Sequence, residues 1–442
     1  METLTGQAKR SISGGVFGMF VDTFDVYLPA LVLPAAMSYF LPHSMSPSAS
    51  VTVSTLLFCV SLLGRPIGGL VFGNLSDKIG RKRVTLISAG GFTACTLLIS
   101  VLPGYGSWGV AVILVFALLR LVNGIFLGGG YAAPIPLALE HSPARLRGLV
   151  GGLIAAAAPA AFLVISLIQV LALRKLPKAD FLSWGWRLPF FLGVLLGIGY
   201  LVHYLRVDEG NESYWAARRA ERRQPVRELF SRRNAKTLGQ VFLLTSGYWF
   251  AAQMAVSLLP SLLTGDLHQD ATNVSLLTLA GSVFTIFSVI GFAVLGQRVG
   301  RRKVLLGAAC AITVVTALTF ALMVHFAEVR TGFFAVAVMG IIANALTSGP
   351  LGVLITYLNE RFPLSVRSTG YSVGYTFGLI LPGLYSVWLL GLGNLMPYAY
   401  GPVVLIVLGG LLMTFAVHSG PETTQIDSLT GEARTVEREL RP

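Results

Sequence analysis

Long apolar blocks alternate with short polar breaks along the whole chain. Blocks of about 20 residues or more recur twelve times, roughly at 12–40, 51–76, 84–103, 108–139, 148–173, 187–206, 238–264, 273–297, 304–326, 331–359, 368–392 and 397–418. Each is long enough for a helix to cross a hydrocarbon core of about 30 Å, so the pattern predicts an all-α membrane protein with twelve spanning helices. Several blocks exceed 25 residues, which implies tilt, kinks or helix extending beyond the lipid. Pro29 and Pro34 in the first block, and Pro134 and Pro136 in the fourth, are candidate kinks, because neighbouring helices can satisfy the backbone groups that proline frees.

One polar stretch, Arg206 to Lys236, interrupts the pattern at the midpoint of the chain. It is dense in Arg and Glu (Arg218, Arg219, Glu221, Arg222, Arg223, Arg227, Glu228, Arg232, Arg233) and reads as a solvated segment joining two bundles. An internal repeat supports that division. Glu140, Pro143 and Arg147 form E-x-x-P-x-x-x-R, and the pattern returns as Glu360, Pro363 and Arg367, displaced by 220 positions. Gly80-Arg81-Lys82 returns as Gly300-Arg301-Arg302 at the same displacement. Two separate motifs sharing one offset indicate a duplication. The expected organisation is a six-helix bundle over 1–206, a linker over 207–236, a second bundle over 237–420 and a tail over 421–442.

Composition agrees with a membrane protein: 54% of the residues are hydrophobic and 12% charged, against about 25% charged in soluble domains. The net charge of +13 would suit a nucleic-acid partner if it were clustered on one domain. Instead 26 of the 33 Lys and Arg residues fall in the even-numbered loops and the two tails. The odd-numbered loops hold Arg174, Lys175, Lys178, Arg187 and Arg330, while Arg65 and Arg120 lie inside spans. This is the positive-inside asymmetry, which places both termini in the cytoplasm and makes anionic lipid, not nucleic acid, the partner of the basic surface. The expected setting is multi-pass in a plasma membrane, a bacterial inner membrane. Cys59, Cys95 and Cys310 all lie in apolar blocks without metal or disulfide spacing and read as packing residues. The first block is full length with no cleavage signal, so it reads as a span. No G-x-x-x-x-G-K-[ST] motif appears, which argues against a nucleotide-driven pump; no cofactor or metal is expected.

The loop Gly73-Asn74-Leu75-Ser76-Asp77-Lys78-Ile79-Gly80-Arg81-Lys82-Arg83 resembles the G-x-L-x-D-x-x-G-R-K/R signature between helices 2 and 3 of the major facilitator family. Its glycines allow a tight turn and close helix approach, and Asp77 can pair with basic groups or a helix N-terminus. Parallel six-helix repeats are also the pattern of that family. The resemblance implies the major facilitator fold, an alternating-access transporter that works as a monomer, and a conformational latch. The latch residues it implies are Gly73, Asp77, Gly80, Arg81, Glu140 and Arg147, with Gly300, Arg301, Glu360 and Arg367 in the second half and Arg65 beside the glycine-rich segment. The second copy has Gln297 where the first has Asp77, so its latch should be weaker. Arg65-Pro66-Ile67-Gly68-Gly69, Trp184-Gly185-Trp186-Arg187-Leu188-Pro189-Phe190, Glu212-Ser213 and Pro421-Glu422-Thr423 resemble the metabolite:proton symporters. Asp22-Thr23-Phe24-Asp25 is closer to the D-x-x-D of aromatic-acid:proton symporters, and Gly130 stands where that helix 4 glycine run commonly holds an acid.

Four ionisable residues fall deep within spans, all in the first half: Asp22, Asp25, Arg65 and Arg120. Each costs about 2.5–3.5 kcal/mol near the bilayer centre unless it has a partner or a wet cavity. Asp25 and Arg120 lie at matching depth, about 20 Å from opposite ends of their helices at ~1.5 Å per residue. They are expected to pair, with Asp25 carrying a proton, Asp22 tuning or relaying it, and Arg120 sensing a carboxylate. Polar residues share helix faces elsewhere: Arg120, Asn123 and Tyr131 on helix 4, Ser246, Trp249 and Gln253 on helix 7, and Asn344, Thr347 and Ser348 on helix 10. The family resemblance implies that these helices line the central cavity, which makes these residues substrate-contact candidates. The reading is proton-driven uptake of a small polar metabolite, a carboxylate or zwitterion. An exporter on the same fold is disfavoured because Ala158-Pro159-Ala160-Ala161 lacks the glycines of the exporter G-P-x-x-G-G stretch. A transport-inactive sensor is disfavoured because the linker and tail are too short for an effector domain.

Overall fold

The structure is a computed structural model and describes residues 5–42, 45, 47–208 and 225–424. Among the described residues, twelve helices are long and apolar enough to cross a bilayer. They are α1 (Gly6–Leu33), α2 (Leu57–Ile79), α3 (Arg81–Ser100), α4 (Ala111–Glu140), α5 (Ala144–Ala172), α6 (Phe181–Leu205), α7 (Asn234–Asp266), α8 (Thr272–Val299), α9 (Arg301–Val329), α10 (Phe333–Glu360), α11 (Arg367–Gly393) and α12 (Tyr398–His418). Large apolar side chains such as Leu114 and Phe287 point outward from this assembly, as they must where the solvent is lipid. Residues 209–224, which hold Arg218, Arg219, Glu221, Arg222, Arg223 and the Glu212-Ser213 pair, lie outside the described residues, as does the tail from 425.

The prolines act differently in the two blocks where kinks are expected. α4 breaks at Ala133 (φ −122°, ψ −57°) and restarts at Pro134, since the residue before a proline is pushed out of the α region. The first helix instead runs unbroken from Gly6 to Phe40, past Pro29 and Pro34. α7 loosens into π-helical turns over Gln253–Leu258 and Leu262–Asp266, and α10 is interrupted at Gly349-Pro350.

Glycines set the closest packing. Gly64 and Gly68 of α2 face Gly124 and Gly128 of α4 so tightly that a side chain at any of them would enter the other helix's backbone. That approach brings Arg65 of α2 within reach of α4. The repeat is visible in backbone geometry too. Gly80 and Gly300, 220 positions apart, precede α3 and α9 with φ of 105° and 115°, values that favour glycine. The two halves meet where α2 packs on α11 and where α5 packs on α8 and α10.

Candidate functional site

A central cavity opens between the two halves. Its polar wall in the first half includes Asp22, Thr23 and Tyr27 of α1, Arg65 of α2 and Tyr131 of α4. The second half contributes Tyr248, Trp249 and Gln253 of α7, Thr278, Ser282 and Thr285 of α8, Asn344 and Ser348 of α10, and Tyr375 of α11. Phe162, Val256 and Leu259 supply apolar surface.

The charged feature of this wall is an ion pair. Arg65 Nη2 donates to Asp22 Oδ2 at 2.7 Å, with both side chains nearly sealed from solvent. Arg65 Nη1 donates to the Tyr131 hydroxyl at 3.3 Å, and the guanidinium lies 5.0 Å from the Tyr131 ring centroid. Tyr131 packs on Tyr375 at 4.6 Å, and Trp249 meets Tyr375 edge-on at 5.5 Å. The glycine at 130 has a local reason: a Cβ there would lie 2.9 Å from Asp22 Oδ1. Asp22 occupies the room that a side chain on α4 would need.

Arg65 therefore lines the cavity, although it stands beside the latch segment in sequence. The twelve residues from Arg65 to Asp77 span about 18 Å of helix, enough to separate a midplane residue from one at the membrane edge. Asp25 and Arg120 also depart from expectation. Asp25 accepts hydrogen bonds from the Thr96 hydroxyl and from Asn123 Nδ2 (2.8 Å). Arg120 donates to Asn123 Oδ1 (3.0 Å) and to the Val26 carbonyl (3.5 Å), so its link to Asp25 runs through Asn123. Neither Arg120 nor Asn123 lines the cavity, because their face of α4 turns against α1 and α3. Ser246 and Thr347 are likewise buried away from it, and the Thr347 hydroxyl is spent on the Ala343 carbonyl of its own helix at 2.7 Å. Tyr131, Trp249, Gln253, Asn344 and Ser348 do face the cavity. Asn344 Oδ1 accepts from Thr285 at 2.8 Å, and Gln253 Oε1 from Ser257 at 2.8 Å. Sequence reasoning missed Tyr27 and the α8 residues, while Tyr375, a weaker candidate on helix 11, does face the cavity. Thr278, Ser282 and Thr285, spaced i, i+4, i+7, were a legible polar stripe.

A second polar cluster closes the end of the molecule that carries the even-numbered loops. Asp77 accepts the amides of Ser368 (3.3 Å) and Thr369 (2.8 Å) and the Thr369 hydroxyl (2.7 Å), capping the N-terminus of α11 across the two halves. Glu140 joins Arg81 of its own half to Arg367 of the other, the latter at 3.0 Å. In the repeat, Gln297 accepts the Gly148 amide at 2.9 Å and the Arg301 guanidinium at 3.2 Å, and donates to the Ala144 carbonyl at 3.3 Å. Arg301 pairs with Glu360 at 2.8 Å, and Thr356 donates to the Arg147 carbonyl at 3.4 Å across the halves. Gly73 lets the Thr369 backbone approach α2. Beyond α12, Glu422 accepts the amides of Arg301 (2.9 Å) and Arg302 (3.0 Å). Partial burial raises its pKa, but amide donors including Thr424, Arg301 and Arg302 outweigh that and hold it below the usual carboxylate value.

Comparison with known proteins agrees with this geometry. The Major Facilitator Superfamily profile matches residues 15–260, and that of "Sugar (and other) transporter" matches residues 202–427. The inner membrane metabolite transport protein YhjE of Escherichia coli (strain K12) is 30% identical over 385 residues, covering 84% of this chain and 85% of that one. The proline/betaine transporter of the same organism is 26% identical over 421 residues, covering 91% and 82%. Among solved structures, the proton:xylose symporter XylE bound to 6-bromo-6-deoxy-D-glucose superposes with a TM-score of 0.77 over 98% of both chains, at 14% identity. The profile, the relatives and the doubled six-helix architecture agree: this chain is a membrane transporter belonging to the Major Facilitator Superfamily.

Proposed function

We propose that this transporter takes up a small carboxylate or zwitterion together with a proton, by alternating access. The observation that carries the reading is the Asp22–Arg65 ion pair, 2.7 Å long, in the wall of the central cavity. A substrate carboxylate competes with Asp22 for the same guanidinium, whose planar fork suits a carboxylate. Protonating Asp22 neutralises that competitor and frees Arg65, so proton and anion bind together. The four deep charges sum to zero with both aspartates ionised and to +1 once one is protonated, and a net positive dry cavity favours an anion. The sequence alone points to Asp25 and Arg120 for these roles. The geometry supports Asp22 and Arg65, which face the cavity, and leaves Asp25, Asn123 and Arg120 as a buried support behind them. Tyr131, Trp249 and Tyr375 offer aromatic faces to the cationic or methylene part of a zwitterion. The relatives' names fit this reading, since proline and betaine are zwitterions and XylE is a proton symporter. The halves then rock about the midplane site, with the gradient of protons as the only energy source.

Asp22→Asn tests the coupling. In proteoliposomes the variant is expected to lose proton-driven accumulation while keeping substrate counterflow, which needs no net proton movement. Accumulation with the wild-type pH dependence would remove Asp22 from the mechanism. A monoanion crossing with one proton moves no net charge, whereas a zwitterion carries one positive charge inward, so membrane-potential dyes distinguish the two. Inward current driven by a neutral sugar, without competition from carboxylates, would sink the substrate class.

A further inference from the structure

The hydroxyls that α8 and α10 bring to the cavity wall spend their protons inside the protein. Thr278 donates to the Val274 carbonyl and Ser282 to the Thr278 carbonyl, each at 2.9 Å. Thr285 donates to Asn344 Oδ1 at 2.8 Å, and Ser348 reaches the same oxygen at 3.4 Å. On α7, Ser257 stands one turn beyond Gln253 and donates to its Oε1 at 2.8 Å. The consequence falls on the two carboxamides of the wall, Gln253 and Asn344. Each has its oxygen held by a hydroxyl donor, Asn344 by two of them. An amide held by its oxygen turns its NH2, with two donors, the other way.

Those nitrogens have nothing on the protein to donate to. Gln253 is 2% exposed, and its Nε2 has no partner. One turn earlier on the same face of α7, the Trp249 indole N–H is unpartnered as well. Among the described residues Asn344 hydrogen-bonds through its oxygen alone, which leaves Nδ2 to donate elsewhere. The loosened turn of α7 over Gln253–Leu258 packs on α10, so these donors belong to one stretch of wall. Buried N–H groups are as a rule paired. Polar residues that glue helices together bond across the interface, and the Gln253 nitrogen does not. Charge limits what can meet these donors. Asp22 and Arg65 are the charged side chains of the lining, so a substrate carboxylate on Arg65 leaves no second cation for another anion. Neutral N–H donors suit an uncharged acceptor oxygen.

We infer that Gln253, Asn344 and Trp249 form a second subsite for an uncharged acceptor oxygen, so that the preferred substrate is a hydroxy- or oxo-acid monoanion. Its carboxylate lies on Arg65 and its second oxygen on the wall of the other half. The inference rests on the carboxylate reading of Arg65 and narrows it. Ser257, Thr285 and Ser348 are positioning residues, which fix the amides with their nitrogens outward. Proline and betaine have the carboxylate as their one acceptor group and leave these donors unpaired, which a buried site penalises.

The test varies the ligand and the wall together. Binding to the purified full-length transporter in nanodiscs is measured by calorimetry for butyrate, its α-, β- and γ-hydroxy forms, succinate, proline and betaine. At least one hydroxybutyrate is expected to bind about tenfold more tightly than butyrate, succinate, proline or betaine, as one added hydrogen bond allows. Gln253→Met should cost that hydroxy acid about fivefold more than it costs butyrate, because only the hydroxy acid uses the amide. Equal losses for the two ligands would assign Gln253 to packing and overturn the subsite. Ser257→Ala should reproduce part of the selective loss, about twofold to threefold, since the amide is then free to rotate. Should Gln253→Met not fold, Ser257→Ala is read by the same ratio, and an unchanged ratio overturns the subsite. Proline or betaine binding as tightly as the hydroxy acids would overturn it too, while leaving the zwitterion reading of the cavity in place. Tightest binding by succinate would overturn the uncharged acceptor. Binding of a neutral sugar with no carboxylate bound would remove the Arg65 reading and the subsite with it.

Discussion

Asp22 and Asp25 lie one turn apart on the same helix, both nearly sealed from solvent, and each has an arginine nearby on another helix. Asp22 meets Arg65 directly in the wall of a cavity. Asp25 meets Thr96 and Asn123, is linked to Arg120 through Asn123, and does not line the central cavity. The contrast shows what makes a buried charge useful. A pair that lines a cavity can be opened by a competing anion or a proton, because either partner can be re-paired or re-solvated at once. A pair enclosed among three helices has no such exchange, and disturbing it leaves a buried charge uncompensated.

Removing Arg65 should break this contrast hardest. Arg65→Gln leaves Asp22 charged and alone, an expected loss of about 3–5 kcal/mol of stability, and abolishes substrate binding. Adding Asp22→Asn should restore the thermal midpoint in detergent without restoring transport; recovery of transport in the double variant would show that Arg65 only neutralises Asp22. A smaller effect is expected at the enclosed pair. Asp25→Asn should cost about 1–3 kcal/mol, as for hydrogen bonds lost from a charged acceptor, yet retain pH-dependent accumulation per folded molecule. If Asp25→Asn uncouples transport while Asp22→Asn does not, the two roles are reversed.

The smallest effect should lie at the latch, where the repeat offers its own comparison. Asp77 and Gln297 occupy matching positions, and each accepts a backbone amide of the other half. Only Asp77 adds a full charge to a helix N-terminus, an interaction of about 0.3–1 kcal/mol. Asp77→Asn should therefore change the rate of the conformational cycle by roughly twofold to fivefold and alter affinity only through the populations of the two states. Rapid-mixing fluorescence of the intrinsic tryptophans can follow that rate. Complete loss of binding in a folded variant would place Asp77 in the substrate site instead.

Much of this was legible in the chain because membrane proteins expose their logic in one dimension. Twelve apolar blocks had to become helices, since no other open structure satisfies the backbone in lipid. The repeat announced itself in Gly80 and Gly300, which recur at a backbone position where φ is positive in both halves. The face of a helix was legible, as Trp249 with Gln253 and Asn344 with Ser348 illustrate, but the neighbour met by that face was not. Arg120, Asn123 and Tyr131 share a stripe on α4, yet two of them turn to α1 and α3 while Tyr131 reaches Arg65.

The sequence by itself determined the class, the number of spans, the duplication and which ionisable residues lie within the membrane, because the cost of burying backbone and charge in hydrocarbon leaves few alternatives. Only the tertiary structure decided which aspartate meets which arginine and which of them faces the cavity. Those choices turn on a few ångströms of approach between helices, set by glycines such as Gly64, Gly68, Gly124, Gly128 and Gly130. Such approach depends on packing between segments distant in the chain, which helical periodicity along any one of them does not specify.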